Sequence, residues 1–342
     1  MVAGDSRTAL PWVESLVCEH WGFKATAQKL HTERDEQFLL RDEKHRTFIV
    51  KIGNPFEDPA VIDMQTQALL HLATVDPDLP TPRVVRTVRG DVSVSSDYDG
   101  KRPVVRLLTY LDGRMLSAAP RSTAQAATAG ALLARLGLAL RDFKHPADGR
   151  DLDWDLAHAA RLAPLLDGVV DPQRRELTLR HVQRFVGETM PALASLRTQV
   201  VHGDFNPHNI LVDAANSERI TGVIDFGDMV RTQLVNDVAI GACYGVVTGS
   251  HPLQHPLAFV AGFHSVRALS PAELQLLPTL MAARLAATVA ITEWRAQRFP
   301  ANRAYITKNT GVAWQGLELL DGVNAAQARQ AFACLASEDS RT

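Results

Sequence analysis

The feature that most constrains the fold is a pair of short motifs in the second half of the chain. The first, at residues 201–212, reads VHGDFNPHNILV and places the carboxylate of Asp204 five residues before the amide of Asn209. The second, at residues 223–228, reads VIDFGD. In it, the carboxylate of Asp225 comes directly after a short apolar run. Each motif contains an apolar run typical of a short strand, and the polar turn between them predicts a hairpin. Such a hairpin would bring the second carboxylate next to the amide.

These two motifs hold the functional groups that phosphoryl transfer requires. A kinase needs one carboxylate to accept the proton of the attacking hydroxyl, and an amide and a second carboxylate to hold Mg²⁺. The order His-x-Asp-x-x-x-x-Asn, then Asp-Phe-Gly, is that of the catalytic and metal loops of kinases. We therefore expect Asp204 to be the catalytic base and Asn209 and Asp225 to be the metal ligands. In an alternative interpretation, His202 and His208 would be ligands of a hydrolase metal centre, but a third and fourth ligand at suitable spacing are not evident.

Composition and charge argue against several other functional classes. With 342 residues the chain can form two lobes, each with its own core. A formal net charge of −2 and a pI of about 6.6 predict no broad basic surface for nucleic acid. The three isolated cysteines and an N-terminus without the apolar core of a signal peptide predict a cytoplasmic location. The longest apolar runs, such as 278–291, are interrupted by Arg284 and are too short to span a membrane. Both a monomer and a homodimer are compatible with the sequence.

The order of the predicted elements indicates an α+β fold of the bilobal protein-kinase-like type. Residues 1–108 are expected to form a small N-lobe, which would bind the nucleotide phosphates and contain a five-stranded antiparallel sheet and one main helix. That helix should begin at Asp58 and Pro59, because aspartate caps a helix and proline suits its first position. Residues 109–342 are expected to form a large, mostly α-helical C-lobe with the catalytic loop, the metal loop and the substrate pocket. The predicted strands of the N-lobe sheet are 24–30, 37–41, 47–52, 83–87 and 103–108.

Lys51 is the candidate for holding the nucleotide phosphates. It is a single cation in an apolar β run, FIVKI, and kinases place their phosphate-binding lysine on the third strand. A lone strand lysine is more often a solvent-facing edge residue, but the catalytic loop downstream favours the phosphate role. Its partner on the next helix would be Gln65, through a hydrogen bond, or Asp63, which points to a different face. The turn at 31–36 would fold over the phosphates; it has no glycine, but Thr32 could contribute a hydroxyl.

Five stretches extend the likeness to kinases beyond the catalytic loop: VKIGN at 50–54, VRLLTYLDGR at 105–114, the His202 loop, IDFGD at 224–228 and FVAGF at 259–263. With these stretches the chain resembles the hydroxylysine kinase family, a branch of the aminoglycoside phosphotransferase and choline kinase superfamily, from about residue 20 to 320. The resemblance implies a kinase-like fold, Mg²⁺, and transfer from GTP or ATP to the hydroxyl of a hydroxylated amino acid or amino-alcohol. Where the sheet passes to the second lobe, the backbone of Thr109 and Leu111 would hydrogen-bond the nucleotide base.

Three other residues are candidates for binding the acceptor. Asp228 would either hold a substrate amine or cap the segment after the metal loop. Arg284 lies in an apolar helix, where an unpaired charge is costly, so it would pair either with a carboxylate of the protein or with that of the substrate. Glu293, about two and a half helical turns further on, could supply an acid for a substrate ammonium. Asp237 is expected to stabilise the catalytic loop from the helix beneath it.

The predicted function is a kinase that acts on a small hydroxylated amine or amino acid similar to 5-hydroxylysine. Two alternatives use the same chemistry on other acceptors: an aminoglycoside or other antibiotic O-phosphotransferase, and a kinase of the homoserine, choline or ethanolamine type. A non-catalytic nucleotide-binding module is disfavoured, because the base, both metal ligands and the lysine are all present. The acceptor's identity and the choice between GTP and ATP do not follow from the sequence.

Overall fold

The computed structural model describes residues 6–30, 32, 35–248 and 251–338, and the chain divides into two compact units. The first unit comprises Met1–Asp112 and His145–Asp148, and the second comprises Gly113–Lys144 and Gly149–Thr342. The first is built on a sheet and the second is mostly helical, so the predicted α+β fold is confirmed. The predicted assignment of residues 1–108 to nucleotide binding and 109–342 to catalysis stays a prediction.

The first unit contains the predicted five-stranded antiparallel sheet. Its elements are α1 (Ser6–Trp21), β1 (Ala25–Lys29), β2 (Glu36–Asp42), β3 (Thr47–Ile52), α2 (Pro59–Val75), β4 (Val94–Ser95) and β5 (Val104–Thr109). The strand order is β1-β2-β3-β5-β4, and every neighbouring pair is antiparallel. Helix α2 begins as predicted, because the Asp58 side chain accepts a hydrogen bond from the amide of Ala60 and proline follows the cap.

The two faces of β3 have different surroundings, as its alternating sequence requires. Phe48, Val50 and Ile52 are buried in an apolar cluster with residues of α1 and the neighbouring strands. Burying an aliphatic or aromatic side chain of this size contributes about 1.5–3 kcal/mol. Lys51 lies on the opposite face, directly across from Arg106 of β5. Both cations are therefore on the face of the sheet that carries α2.

The outer edge of β5 differs from the prediction. Residues 83–87 are not a strand: Val84 forms only an isolated bridge to Leu108, and the fifth strand is instead β4, which lies between 83–87 and β5 in the chain. The reason is that two short segments share this edge. β4 pairs with Val104 and Val105, and the segment around Val84 covers the remainder, so neither can extend along it.

The second unit consists of helices with two small sheets. Its helices are α3 (Thr123–Ala139), α4 (Pro172–Arg184), α5 (Met190–Leu193), α6 (Leu234–Cys243), α7 (Gln254–Val266), α8 (Pro271–Arg298), α9 (Arg303–Ile306), α10 (Thr310–Asp321), α11 (Ala325–Ala333) and α12 (Leu335–Glu338). Its strands are β6 (Arg114–Met115), β7 (Thr198–Val201), β8 (Ile210–Val212), β9 (Ile220–Val223) and β10 (Val230–Gln233). Short 3₁₀ helices are Leu116–Ala118, Leu156–Gly168, Phe226–Asp228 and Pro300–Asn302, and a π-helix is Phe185–Thr189.

Helix α8 is the central helix of this unit and packs against α4, α6, α10 and α11. A capping box starts it, because Ser270 accepts from the amide of Glu273 while the Glu273 side chain accepts from the amide of Ser270. Within the described residues, it is the one helix long and apolar enough to cross a membrane, so the expectation that every apolar run is too short was wrong about its length. However, 78% of its apolar window is buried inside the protein.

The predicted hairpin is present as β8 and β9, which pair antiparallel, with β6 added beside β8. Strands β7 and β10 form a second antiparallel pair. The loop between β7 and β8 and the loop between β9 and β10 therefore each connect one small sheet to the other. These two loops contain the predicted base and metal ligands.

Candidate active site

The loop that carries Asp204 is held by buried polar groups. Gly203 has φ +79, and a Cβ at this position would lie 2.1 Å from the carbonyl oxygen of Asp228, so only glycine fits. The fully buried His202 lies 3.1 Å (Nε2) from the carbonyl of Ile224, and its Nδ1 accepts from the amide of Asp204 at 3.3 Å. Asp237 of α6 accepts from the amides of His202 and Gly203 at 3.2 and 2.9 Å. His202 and Asp237 thus fix the backbone that presents Asp204.

Asp204 is held at both carboxylate oxygens. The Nδ2 of Asn209 donates to Oδ2 at 2.8 Å, and Nη2 of Arg284 donates to Oδ1 at 2.8 Å. Its side chain is still 22% exposed. Burial raises the pKa of Asp204 to about 6; the charge of Asp228 acts in the same direction, and Arg284 opposes both. A carboxyl whose pKa lies near the working pH suits a general base.

The hairpin places the two predicted metal ligands at adjacent positions. The amide of Ile224 donates to the carbonyl of Asn209 at 2.9 Å, so Asp225 is the next residue after this contact. Asp225 has a left-handed backbone (φ +62) and an exposed side chain, which accepts from the amide of Gly227 at 3.3 Å. An amide oxygen and a carboxylate next to each other are the donor set that Mg²⁺ prefers. The residues present therefore fit a magnesium ion.

Arg284 has a protein carboxylate as its partner, which is one of the two roles predicted for it. Its side chain is 2% exposed, and the carboxylate it binds is that of Asp204. Nη1 donates to the carbonyl of Trp154 at 3.3 Å, and the guanidinium lies 5.0 Å from the centre of the Trp154 ring. Removing one partner of a buried ion pair typically costs about 3–5 kcal/mol, so this pair is important to the local structure.

The two acidic acceptor candidates lie in different surroundings. Asp228 is in the 3₁₀ turn after the metal loop, partly buried, and its charge acts on Asp204. Glu293 instead accepts from Nη2 of Arg303 at 2.9 Å. Two and a half turns of helix separate it from Arg284, and its carboxylate is neutralised by an arginine of the protein. The structure therefore brings Asp228, and not Glu293, close to the predicted base.

In the first unit, the predicted partner of Lys51 is wrong. The Gln65 oxygen accepts from Nη2 of Arg106 at 3.0 Å, so its hydrogen bond goes to the arginine and not to the lysine. Asp63 lies 3.1 Å from His145 and accepts from Gln67. Among the described residues, Asp35 is an acidic neighbour of Lys51: its Oδ2 lies 3.8 Å from the ammonium and 3.9 Å from Arg106.

Arg106 and Asp35 are neighbours of Lys51 that the sequence reasoning missed. Arg106 is 1% exposed, and its Nη1 also donates to the carbonyl of Ile62 and to the hydroxyl of Thr66. A signal for Arg106 was available: it is a lone cation in the apolar run VVRLLT, the same pattern that singles out Lys51. No comparable signal exists for Asp35, because it lies in a polar turn where an aspartate is ordinary.

The remaining nucleotide candidates occupy the positions expected from the sequence, but their contacts are to the protein. The hydroxyl of Thr32 donates to the carbonyl of Asp35 within the turn. The amide of Thr109 donates to the carbonyl of Arg83 at 2.9 Å, and the Thr109 hydroxyl accepts from the amide of Arg83. Leu111 lies two residues beyond β5, outside the sheet. Their roles toward a nucleotide stay predictions.

The hydrolase interpretation is not supported by the geometry. Both ring nitrogens of His202 contact backbone groups, the carbonyl of Ile224 and the amide of Asp204, and Nδ1 of His208 lies 3.2 Å from the hydroxyl of Ser117. Across the described part of the chain, no group of three or more His, Cys, Asp or Glu side chains could hold a metal ion. The three cysteines at 18, 243 and 334 are free thiols, as predicted.

Comparisons with known proteins extend the resemblance that the motifs suggest. A family model described as the phosphotransferase enzyme family matches residues 29–269. Hydroxylysine kinase from Mus musculus is 30% identical over 331 residues, which cover 90% of this chain and 87% of that protein. Homoserine kinase from Ralstonia nicotianae is 31% identical over 177 residues, 49% of this chain and 51% of that protein. Among solved structures, an amicoumacin kinase in complex with AMP-PNP and Ca²⁺ has a TM-score of 0.68 at 16% identity, covering 93% of this chain and 96% of its own, which shows a likeness of fold.

Proposed function

The chain belongs to the phosphotransferase enzyme family and is a kinase with a hydroxyl acceptor, and we propose that it transfers the γ-phosphoryl group of GTP or ATP to a hydroxylated amino acid or amino-alcohol. The observation that carries this proposal is the Asp204 carboxylate, partly exposed and held at both oxygens in a rigid loop next to Asn209. The similarity to hydroxylysine kinases over most of the chain favours an acceptor of the 5-hydroxylysine type.

In the proposed reaction, Asp204 accepts the proton of the acceptor hydroxyl. The hydroxyl oxygen then forms a bond to the γ-phosphorus, while the bond from that phosphorus to the bridging oxygen breaks and a nucleoside diphosphate leaves. The rigid loop contributes by holding the base in one orientation, because a well-oriented reacting group removes much of the entropic part of the barrier. The acceptor is thereby phosphorylated on oxygen.

A metal ion and a lysine would balance the charge of the nucleotide phosphates. Mg²⁺ bound by Asn209 and Asp225 would neutralise charge on the β- and γ-phosphate oxygens. Lys51 would contact the α- and β-phosphates, as the lysine of the third strand does in kinases. Asp35 lies close to both Lys51 and Arg106, so its negative charge partly offsets these two buried positive charges when no nucleotide is bound.

The acceptor's amine is the group that the site is best suited to recognise. Asp228 places a second negative charge near Asp204, and an ammonium group is attracted to such a pair of carboxylates. Arg284 is less suited to bind a substrate carboxylate, because its guanidinium is buried against the base. We further propose a cytoplasmic location, in keeping with three free thiols.

A coupled turnover assay with Mg²⁺ tests the proposal. GTP and ATP would each be combined with 5-hydroxylysine, homoserine, ethanolamine, choline and several aminoglycosides, with Asp204→Asn as the control. We expect turnover with a hydroxylated amine or amino acid, and a decrease of about 10²–10⁴ in kcat in the variant with nucleotide binding retained. Near-normal turnover by Asp204→Asn would show that the assigned base is wrong. Turnover confined to aminoglycosides would favour antibiotic phosphorylation instead, and none at all with tight nucleotide binding would favour a regulatory site.

A further inference from the structure

Arg284 and Asp204 form an ion pair in which the two partners differ in accessibility. The guanidinium in the middle of α8 is 2% exposed, whereas the carboxylate is 22% exposed. A substrate can therefore approach the carboxylate from its open side, while the guanidinium contacts it from the protein side. An acceptor cannot reach Arg284 unless Asp204 is displaced from it. In this arrangement Arg284 can influence the carboxylate of Asp204 but does not contact the acceptor.

The position of the guanidinium is determined by contacts on several sides. Nη2 binds Asp204 at 2.8 Å, Nη1 binds the carbonyl of Trp154 at 3.3 Å, and the Trp154 ring lies 5.0 Å away. Nε is buried without a hydrogen-bond partner in the described structure. Because a charge buried in an apolar helix is costly, this guanidinium needs a compensating partner. The contact with Asp204 provides one.

The other carboxylate oxygen of Asp204 is held by Asn209, so the side chain is fixed at two points. Without Arg284, one of these points is lost and the carboxylate can rotate. Asp237 and His202 hold the backbone of this loop, so the side chain of Asp204 is the part that can move when one of its contacts is lost. A displacement of about 1 Å of a catalytic group can reduce a rate about 100-fold. The orientation of the base therefore depends on the arginine 80 residues away.

We propose that Arg284 is a positioning residue that orients the Asp204 carboxylate for removal of the acceptor's proton. The proposal rests on the function proposed above, in which Asp204 is the base. It assigns Arg284 no contact with substrate. It also predicts that Arg284 affects the rate of the chemical step and leaves the binding of nucleotide and acceptor nearly unchanged.

The test is steady-state kinetics of Arg284→Met with the acceptor that the wild-type enzyme uses. We expect kcat to fall about 100-fold while KM for nucleotide and for acceptor each change less than about three-fold. Arg284→Lys keeps the charge but cannot reach both Asp204 and the Trp154 carbonyl, and we expect a smaller decrease of about 10-fold. A rise in acceptor KM with unchanged kcat would overturn the proposal and assign Arg284 to the substrate carboxylate.

A matched control separates positioning from stability. Glu273, in the first turn of α8, forms an ion pair with Arg197 at 2.8 Å, and its carboxylate is 2% exposed. Glu273→Gln should destabilise the protein in a thermal melt but leave kcat within about two-fold. If Glu273→Gln lowers kcat as much as Arg284→Met does, the effect is general destabilisation of α8, and the proposal is wrong.

A double-mutant cycle identifies the residue through which Arg284 acts. If Arg284 acts only through the Asp204 carboxylate, Arg284→Met should lower the kcat of the Asp204→Asn variant by less than about three-fold. These low rates are measured by transfer of a radiolabelled γ-phosphate. If the two defects multiply, Arg284 has a separate role and the proposal fails. Should Arg284→Met not fold, the same cycle is made with Arg284→Lys. A wild-type enzyme without turnover on any acceptor would refute the proposed function, which is a result distinct from all of these.

Discussion

Replacement of Gln65 by leucine tests the finding that the side chain of this glutamine accepts a hydrogen bond from Arg106 and not from Lys51. The Arg106 guanidinium is 1% exposed, and Gln65 accepts its Nη2 at 3.0 Å. Burial makes water a poor replacement for this acceptor, and the carboxylate of Asp35, at 3.9 Å, lies beyond hydrogen-bond distance. A hydrogen bond to a charged group contributes about 1.5–3 kcal/mol, so Gln65→Leu should lower the free energy of unfolding by about 2 kcal/mol.

Urea unfolding followed by circular dichroism measures this loss, with the transition of the first unit analysed separately if the two units unfold in two steps. Gln65→Glu keeps an acceptor for Arg106 and should stay within about 1 kcal/mol of the wild type. Gln67→Leu is the matched control on the same helix: its side chain contacts Asp63 in an exposed position, so the change should be below about 0.5 kcal/mol.

Nucleotide kinetics separate the two possible partners. Because the hydrogen bond of Gln65 goes to Arg106, Gln65→Leu should change KM for the nucleotide less than about three-fold when assayed where the variant is folded. A ten-fold rise in KM, together with a stability loss below about 0.5 kcal/mol, would refute this reasoning. It would mean that Gln65 supports Lys51 when nucleotide is bound, as the sequence pattern alone predicts.

Four other predictions concern residues of the second unit. Asp225→Asn removes the charged oxygen of the proposed metal pair and should raise the Mg²⁺ concentration for half-maximal rate about 10-fold, and an unchanged metal titration would argue against the assignment. Gly203→Ala places a Cβ 2.1 Å from the carbonyl of Asp228 and should lower the free energy of unfolding by about 2 kcal/mol or more, whereas Gly149→Ala, with open space around it, should have little effect in the same melt. Asp204 must be ionised to accept a proton, and burial raises its pKa to about 6, so kcat/KM should rise as pH increases through about 6. Because the charge of Asp228 contributes to this raised pKa, Asp228→Asn should move the midpoint to lower pH, and a midpoint that stays in place would contradict the coupling.

Much of the fold could be predicted because its determinants are local. The hairpin of β8 and β9, the strand β3 and the capped start of α2 are each specified by residues within a few positions of one another. The strand expected at 83–87 was wrong for a reason that no local pattern contains. Its alternating residues are compatible with a strand, but β4 already occupies part of the only free edge of β5.

The sequence by itself determined which functional groups meet in space where those groups are also close in the chain. Asp204, Asn209 and Asp225 lie within 22 positions, and a tight loop and a two-stranded hairpin suffice to bring the first two into contact and to set the third next to them. Motif spacing can therefore predict the base and the metal ligands.

The tertiary structure alone decided which partner each buried charge has. Arg284 reaches Asp204 across 80 residues, and Arg106 reaches Gln65 across 41. Burial makes a partner necessary for each arginine, and the sequence shows that need, but the packing of helices and strands determines which carboxylate or amide is within reach. For this reason the sequence left two partners open for Arg284 and connected Gln65 to the wrong cation.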